Sequence, residues 1–594
     1  MKLRTSLLLA ACLCGLTVHA ATYKGACSDD LRWTLDTESG EITFSGFGSI
    51  PDYDLKQTRP EWYLQRGEIK TVIIEEGIIS IGANSFARCA SLSELQLPST
   101  LSCIGEGAFR ECTELEEVNF PDFLKVIQNE AFNGCTLLDN IVLPIELTEL
   151  GERVFHNTAA SEDKKNWEKD ILYISGWLTE CRKPVSGTCK VRPNTIGIAR
   201  AAFRHHAKLS GVTLPKTIRY IGEYAFDDTA FSGHPDNWVN GILYADDWCI
   251  MTNARRQARF KLQKDTRGIA DGAFKQCRQM TGITLSPALV TIGNRAFQNC
   301  PELSTIAIPP TVRYIGNMAF HGCMQLLSVN IPQDVTLIGY GCFADCASLN
   351  RVNIPYGISH IDYGAFSNCT ALRNIAIPGS VTILGMTAFA NCISLREVEL
   401  QEGTERLGEL AFIHCSKLAS VILPEGVTFL GDGLFEQCEW LDSLYIPSSV
   451  TTLGKGFIYG CPHIHSIVVS DGNDNYRSAD GVLFSADMQR LLKFPPAYRD
   501  STYRIPDGVK AVESHAFVNC KQLEFVEIPE SLTSIGTRAF QGCARLQSLM
   551  FTENIRHIGE HAFAECEQLE ITLPRQTRFD PQVLQADGVR LTFY

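Results

Sequence analysis

The chain has 594 residues, a formal net charge of -14 and an ordinary globular composition, with 45% hydrophobic and 20% charged residues. This composition excludes global disorder, and the acidic balance disfavours nucleic acid or an anionic membrane as a general partner, since phosphate binding needs a basic surface. After the N-terminus no apolar stretch reaches the roughly 18 residues of a membrane span.

Residues 1–20 have the features of a cleaved secretory signal. Lys2 and Arg4 precede an apolar stretch from Ser6 to Leu16, and small residues end the segment at Ala20. The sequence therefore predicts an exported protein, secreted or at the cell surface. A lipoprotein anchored through Cys12 is the alternative, although it leaves only about seven residues of apolar core, the short limit of such signals.

A phenylalanine recurs every 23 residues along most of the chain. One residue of the series comes a single position early (Phe457), and Tyr63 lies in register before the first. A fixed period of about 20 to 29 residues is typical of a leucine-rich solenoid, in which each rung buries its apolar face against its neighbours. The series is Phe86, Phe109, Phe132, Phe155, Phe203, Phe226, Phe274, Phe297, Phe320, Phe343, Phe366, Phe389, Phe412, Phe435, Phe457, Phe517, Phe540 and Phe563.

Each rung follows one pattern when positions are counted from this phenylalanine. Cys comes at +3, Leu at +6, aliphatic residues at +9 and +11, often Pro at +12, further aliphatic residues at +15 and +18, and usually Gly at +19. The alternation at +9 and +11 predicts a short strand. The A-F-x-x-C segment predicts one helical turn per rung, and Gly316 and Gly339 are expected to have a positive φ.

The predicted fold class is therefore an α/β repeat solenoid, with a parallel sheet on its concave face and one short helical turn per 23-residue rung. Its length would be about 90 Å for about 19 rungs at the ~4.8 Å spacing of strands. The repeated residues are predicted to form its core, chiefly Phe274, Phe297, Phe320, Phe343, Phe366, Phe389, Phe412 and Phe435, with Cys277, Cys300, Cys323, Cys346, Cys369 and Cys392.

The motif IGxxAFxxCxxLxxIxIP, repeated over residues 61–574, resembles the BspA-like leucine-rich repeat family of bacterial surface proteins. The segment from Gly25 to Asp54 is similar to the β-rich N-terminal cap of that family. The resemblance implies a secreted or surface-exposed binding scaffold, and some members are adhesins for matrix proteins. It supplies no catalytic residues and no specific ligand.

The pattern and its interruptions define the predicted domains. A β-rich cap covers 21–60, the solenoid covers 61–574, and a closing strand lies within 575–594. Hairpin-like insertions are expected near 159–195, 230–266 and 470–506, where alternating apolar residues are followed by polar turns. The first two insertions match each other at a constant offset, for example Trp167 with Trp238.

Cysteine is the most prominent candidate for chemistry, because 14 of the 23 cysteines occupy position +3. Equivalent residues of successive rungs have parallel side-chain directions, whereas a disulfide needs converging ones. We therefore expect buried thiols that pack as small apolar groups. Cys181 and Cys189 are the pair to test for a bond, and the pairing of Cys27 and Cys249 stays open.

Two motifs resemble metal sites. His557 to His561 matches H-x-x-E-H, but its register places it at the end of an extended segment and a turn rather than on a helix. The polar segment from Asp471 to Tyr476 lacks the glycine and the glutamate of a calcium loop. The sequence predicts no enzyme, no cofactor and no bound metal.

The predicted function is non-catalytic recognition by an exported monomer, with a surface or extracellular-matrix protein bound on the concave sheet. Exposed strand positions at +8 and +10 would form that site: Ser328, Asn330, Arg351, Asn353 and Asn374. The alternative is a glycan-capturing accessory protein that uses aromatic and basic residues of the insertions: Trp177, Trp248, Arg255, Arg256 and Arg259.

Overall fold

The computed structural model describes residues 21–28, 31–575 and 589–594, so the predicted signal at 1–20 and much of the predicted closing segment lie outside the described residues. Two compact units are present. One comprises residues up to Val185 with Asn194–His205 and Tyr224–Asp227, and the other comprises Ser186–Pro193, His206–Glu223 and Asp228 onward. Among the described residues, none of the helices is long and apolar enough to cross a membrane.

The first unit begins with three antiparallel strands, which pair through Glu41–Gly46 with the parallel strands that follow. Its strands are Thr22–Ala26, Leu31–Asp36, Glu41–Gly46, Gly48–Ser49, Thr71–Ile74, Ile78–Ile81, Glu94–Gln96, Cys103–Ile104, Val126–Ile127, Glu149–Leu150, Trp167–Glu168, Ile171–Ile174, Trp177–Cys181 and Gly197–Ile198. Its helices are the 3₁₀ segments Glu61–Gln65 and Lys164–Asn166 and the α-helix Ala159–Glu162.

The second unit repeats two short strands per rung, and its helices are the α-helix Ala230–Gly233 and the 3₁₀ segment Pro235–Asn237. Strands at or near positions +8 to +11, with those that pair in series with them, are Ser186–Lys190, Lys208–Thr213, Arg259–Lys261, Gly282–Thr284, Thr305–Ile306, Ser328–Asn330, Arg351–Asn353, Asn374–Ile377, Glu397–Leu400, Ser420–Ile422, Ser443–Ile446, Ser466–Val469, Thr502–Arg504, Phe525–Glu527, Ser548–Met550, Glu570–Leu573 and Arg590–Phe593. Strands near +17 and +18 are Tyr220–Ile221, Gly268–Ile269, Thr291–Ile292, Tyr314–Ile315, Leu337–Ile338, His360–Ile361, Ile383–Leu384, Arg406–Leu407, Phe429–Leu430, Thr452–Leu453, Ala511–Val512, Ser534–Ile535 and His557–Ile558. The strands Trp238–Val239, Ile242–Ala245, Trp248–Thr252, Tyr476–Ala479, Val482–Ser485 and Arg490–Lys493 form antiparallel hairpins.

Neighbouring rungs pair in parallel, so that each residue lies beside its equivalent one repeat later. Val329 pairs with Val352 in one sheet, and Ile338 pairs with Ile361 in the other. Most rungs thus contribute one strand near +8 to +11 and one near +17 and +18, although residues 117–120 and 140–143 form none. The alternating side chains at +9 and +11 point into the interior between the two series of strands. The predicted repeat solenoid with parallel sheets is confirmed.

The predicted helical turn at A-F-x-x-C is a series of tight turns instead. Asn84 and Arg88, on either side of Phe86, have left-handed backbones with φ of 55° and 66°, and an α-helix tolerates no such residues. The N–H of Phe86 donates to the carbonyl of Ala108 in the next rung at 2.8 Å. These segments therefore bond to the next rung rather than within a helix, and the other rungs repeat the pattern.

The phenylalanines stack in several runs in the interior, of which the longest extends from Phe274 to Phe435. This run ends because Phe457 occupies the position of the usual Ala, and the buried Ile458 takes the place of the next ring. The rings of Phe320 and Phe343 lie 5.3 Å apart at an interplanar angle of 1°, and those of Phe343 and Phe366 lie 5.4 Å apart at 8°. All three side chains are buried. The stack holds because successive rungs place the same residue at the same point, so that each ring covers the next.

The cysteines at +3 form a second column beside the phenylalanine stack. The thiol of Cys323 donates to the backbone carbonyl of Phe297 and that of Cys346 to Phe320, both at 3.3 Å between sulfur and oxygen. Burial raises the pKa of Cys323 and of Cys392 to about 12. Among the cysteines of the described residues there is no disulfide, Cys181 and Cys189 included.

The glycines at +19 were expected to have a positive φ, but the structure gives a different reason for them. Neither Gly316 nor Gly339 has a positive φ. A Cβ on Gly316 would lie 2.4 Å from the backbone nitrogen of Asn294 in the preceding rung, and one on Gly339 would lie 2.3 Å from the side-chain oxygen of Asn317. Close approach to the backbone of the preceding rung therefore excludes a side chain at Gly316, whereas one at Gly339 would require only the side chain of Asn317 to move.

We expect Phe343→Ala to lower the free energy of unfolding by about 3 to 5 kcal/mol, because it removes one ring from the middle of the stack and leaves a cavity. Urea denaturation followed by circular dichroism measures the change. Tyr356→Ala is the control, since this exposed side chain should change stability by no more than about 0.5 kcal/mol. Equal effects of the two substitutions would contradict the stacked interior.

Alkylation with iodoacetamide at pH 8.5 tests the cysteine column. A pKa of about 12 leaves Cys323 and Cys392 almost wholly as neutral thiols, and the thiolate is the species that reacts. We expect mass spectrometry to find both unlabelled in the folded protein and labelled in urea, whereas the partly exposed Cys103 is labelled in both. Rapid labelling of Cys323 in the folded protein would contradict this arrangement.

Candidate functional site

The strand face, defined as the exposed +8 and +10 positions of the +8 to +11 strands, carries the predicted binding residues. Ser328 lies beside Arg351 and Asn330 beside Asn353 on paired parallel strands. The side-chain amide of Asn353 donates to the side-chain oxygen of Asn330 at 2.8 Å. All four side chains are exposed, as is that of Asn374 on the strand Asn374–Ile377. The structure thus brings this predicted set onto the same series of strand positions.

The strand face becomes acidic and then apolar toward higher residue numbers. Glu397 and Glu399 pair with Ser420 and Ile422 on the following strand. The next two strands carry Tyr445 and Val468, which are directly paired.

Ile422, Tyr445 and Val468 form what we call the apolar row. Their side chains are 76%, 45% and 45% exposed, and three serines occupy the neighbouring +8 positions, namely Ser420, Ser443 and Ser466. Sequence reasoning missed this row, although reading the side chain at +10 rung by rung would have revealed apolar groups where other rungs carry Asn or Glu. Exposed apolar side chains held on adjacent strands are typical of a surface that another molecule covers.

The two predicted tryptophans of the insertions lie in the core, which corrects the expectation that they face a ligand. Trp177 and Trp248 are each 1% exposed. A Cβ on Gly197 would lie 2.5 Å from the ring of Trp177, and Gly268 stands in the same relation to Trp248. Each indole therefore covers a glycine of the next rung and cannot stack on a sugar.

The basic residues of the second insertion are at the surface. Arg255, Arg256 and Arg259 are exposed, the last on the strand Arg259–Lys261, which pairs with Gly282–Thr284. The structure therefore leaves the arginines accessible but removes their predicted aromatic companions.

The two motifs that resemble metal sites lie in a strand and turn and in a loop, and neither has the geometry of a metal site. His557 lies in a short strand, whereas His561 is in a turn with a φ of 55°, so the two do not share a helical face. Asn473 is buried, and its amide donates to the carbonyls of Pro447 and Val450 at 2.9 and 3.0 Å. That asparagine anchors its loop to the preceding rung. Within residues 21–28, 31–575 and 589–594, no three metal-ligating side chains form a group that could hold an ion.

Solved structures with leucine-rich repeats are similar to this chain. A leucine-rich cell surface protein from Faecalibacterium prausnitzii is 22% identical, with 61% of this chain and 96% of that chain covered and a TM-score of 0.39. A leucine-rich repeat protein from Bacteroides ovatus is 19% identical over 96% of this chain and 99% of that chain, with a TM-score of 0.27. The pneumococcal vaccine antigen PcpA is 18% identical over 60% and 84%, with a TM-score of 0.33.

No curated protein matches the chain. A family model does match it, over residues 59–175, 188–233, 252–373, 360–479 and 500–579, which together are well over half of its length. The matched residues include the phenylalanine stack, the cysteine column and most of the strand face described above. The chain belongs to the BspA-type leucine-rich repeat family.

Proposed function

We propose that this protein is an exported, non-catalytic scaffold that binds a surface or extracellular-matrix protein through its strand face. The observation that carries the proposal is the apolar row, because Ile422 is 76% exposed on a sheet whose alternate residues are buried. Leucine-rich repeats of this family are suited to protein–protein interaction, and an aromatic side chain such as Tyr445 is a common centre of binding energy.

The rigidity of the strand face supports recognition by many contacts. Most strands of the face are hydrogen-bonded to a parallel neighbour, as Ser420–Ile422 is to Glu397–Leu400 and Ser443–Ile446 is to Ser466–Val469. Their buried residues, such as Val421, pack onto the interior. A surface that is already ordered loses little conformational entropy on binding. The acidic side chains of Glu397 and Glu399 next to the apolar row would favour a partner with basic residues beside apolar ones.

Export is part of the same proposal. Residues 1–20 have the features of a secretory signal. Membership of the BspA-type family, whose resemblance implies a surface protein, supports the same location.

Substitutions in the apolar row test the binding surface. A panel of immobilised extracellular-matrix proteins, with a glycan array beside it, first identifies a ligand. We then expect Ile422→Asp and Tyr445→Asp each to weaken binding at least about tenfold, because each places a charge at the centre of the contact. Surface plasmon resonance measures the affinities, and unchanged thermal unfolding verifies the fold.

Two control variants separate this surface from others. Trp440→Ala removes an apolar side chain that is 60% exposed, between the values of Ile422 and Tyr445, but lies at +5, outside the strand face. It should leave binding unchanged. The triple substitution of Arg255, Arg256 and Arg259 by Ala should also have no effect on a protein ligand. Binding that is lost only in the triple variant, and to a glycan, would replace the strand face with the insertion as the site.

Sequencing of the mature N-terminus tests export. We expect the protein recovered from the medium or the cell surface to begin at Ala21, since the small residue at position 20 suits signal peptidase. A lipid-modified Cys12 would establish the lipoprotein alternative. A product that retains Met1 and stays inside the cell would refute export.

A further inference from the structure

A cavity of about 270 Å³ lies beside the first insertion, within the first unit. This volume is slightly below the roughly 300 to 1,000 Å³ of small-molecule sites, so it suits a single side chain. Its lining consists of Asp139, Asn140, Ile141, Val142, Ala160, Lys165, Asn166, Ile174 and Ser175. Asn140 and Val142 occupy positions +8 and +10 of their rung, although residues 140–143 form no strand there.

The second insertion provides an internal comparison, because it folds in the same way at a constant offset along the chain. Both short helices begin with a capping box, formed by Thr158 and Ser161 in one and by Thr229 and Ser232 in the other. The indole N–H that follows donates to the serine carbonyl in both, at 2.6 Å from Trp167 and 2.9 Å from Trp238. The two insertions can therefore be compared residue by residue.

The comparison shows which side chain is missing at the cavity. Ala160 lines the cavity, and its counterpart in the second insertion is Phe231, which is buried. Asp139 corresponds to Ser210. The first insertion therefore combines a smaller residue in its helix with a carboxylate on the facing rung.

Asp139 makes the cavity suited to a cation. Its Oδ1 atom is enclosed and accepts no hydrogen bond from the described residues, and a buried acceptor without a donor is costly. Lys165 also lines the cavity, where its ammonium group pairs with Asp163 at 2.8 Å; Asp163 and, to a smaller extent, Asp139 raise its pKa. Glu116, whose carbonyl accepts from the N–H of Asp139, and Glu117 add exposed negative charge on the preceding rung.

The remaining walls suit an aliphatic chain. Ile141, Val142 and Ile174 are apolar, and Val142 is 74% exposed in the absence of a partner. Arginine and lysine combine an apolar stem with a charged end, and they bury the stem along apolar surface. We propose that the cavity binds an arginine or lysine side chain of a protein partner, with the charged end at Asp139. The proposal rests on the proposed function of protein recognition.

A titration of the full chain with N-acetyl-arginine N-methylamide, followed by ligand-observed NMR, tests the cavity alone. The neutral citrulline analogue has nearly the same shape and should bind at least about tenfold more weakly, because it lacks the charge that Asp139 would receive. Asp139→Asn should weaken binding of the arginine probe by at least about tenfold, and Ala160→Phe should abolish it. The lysine analogue shows which of the two side chains is preferred.

Circular dichroism verifies that the variants fold. Phe231→Ala in the second insertion is the matched control, since it would open the equivalent space where Ser210 replaces Asp139. Asp246, which replaces Ser175 there, already accepts from the N–H of Leu214 at 2.7 Å, so the variant should add no second site for the probe. Equal binding of the arginine and citrulline probes, or an unchanged affinity in Asp139→Asn, would overturn the proposal. Preferential binding of N-acetyl-aspartate through Lys165 would also overturn it.

The probe titration and the strand-face binding test can succeed or fail independently. Tyr445→Asp should leave binding of the arginine probe unchanged, since Tyr445 does not line the cavity. If the probe fails to bind while the apolar-row variants still lose their protein ligand, the cavity proposal alone is refuted. If the probe binds as expected but the apolar-row variants have no effect, the cavity stands and the strand face does not.

Discussion

The rest of the structure depends on the constant register between neighbouring rungs. In that register the N–H of one phenylalanine reaches a carbonyl of the next rung, as Phe320 reaches Cys342 at 2.9 Å. The thiol of a cysteine reaches the phenylalanine carbonyl of the rung before, as Cys346 reaches Phe320 at 3.3 Å. Ring stacking, thiol hydrogen bonds and strand pairing all require the same offset, so a single inserted amino acid in a middle rung would break all three together.

The shared register also decides where this chain can differ from rung to rung. Interior positions must suit both neighbours, which explains why Phe and Cys recur. The exposed side chains at +8 and +10 have no such constraint, and Asn330, Glu399 and Ile422 occupy the same position on different rungs. Recognition can therefore vary along the strand face without a cost in folding, and the apolar row is one such local variation.

Sequence periodicity was sufficient to predict the interior and the first strand of most rungs, because burial on alternate residues leaves a direct pattern. It failed for the A-F-x-x-C segment. Residues such as Asn84 and Arg88 adopt left-handed conformations there, although nothing in their residue types requires it. The hydrogen bond to the next rung compensates for the strain, and it is visible only in three dimensions. The prediction that Trp177 faces a ligand failed for a related reason. The residue that makes room for its ring is Gly197, which lies on the neighbouring strand and is paired with Trp177.

The third insertion shows how the solenoid accepts extra residues. It separates Phe457 from Phe517, but Phe494 lies one repeat before Phe517 and stacks on it at 4.7 Å. Its N–H donates to Ala516 at 2.9 Å, as in an ordinary rung. The sequence concealed this because Lys493 replaces the usual Ala and no Cys follows; the Lys493 ammonium is buried and donates to the carbonyl of His515 at 3.0 Å. The insertion therefore resumes the register before the next rung begins, so that added segments change the surface while the interior continues.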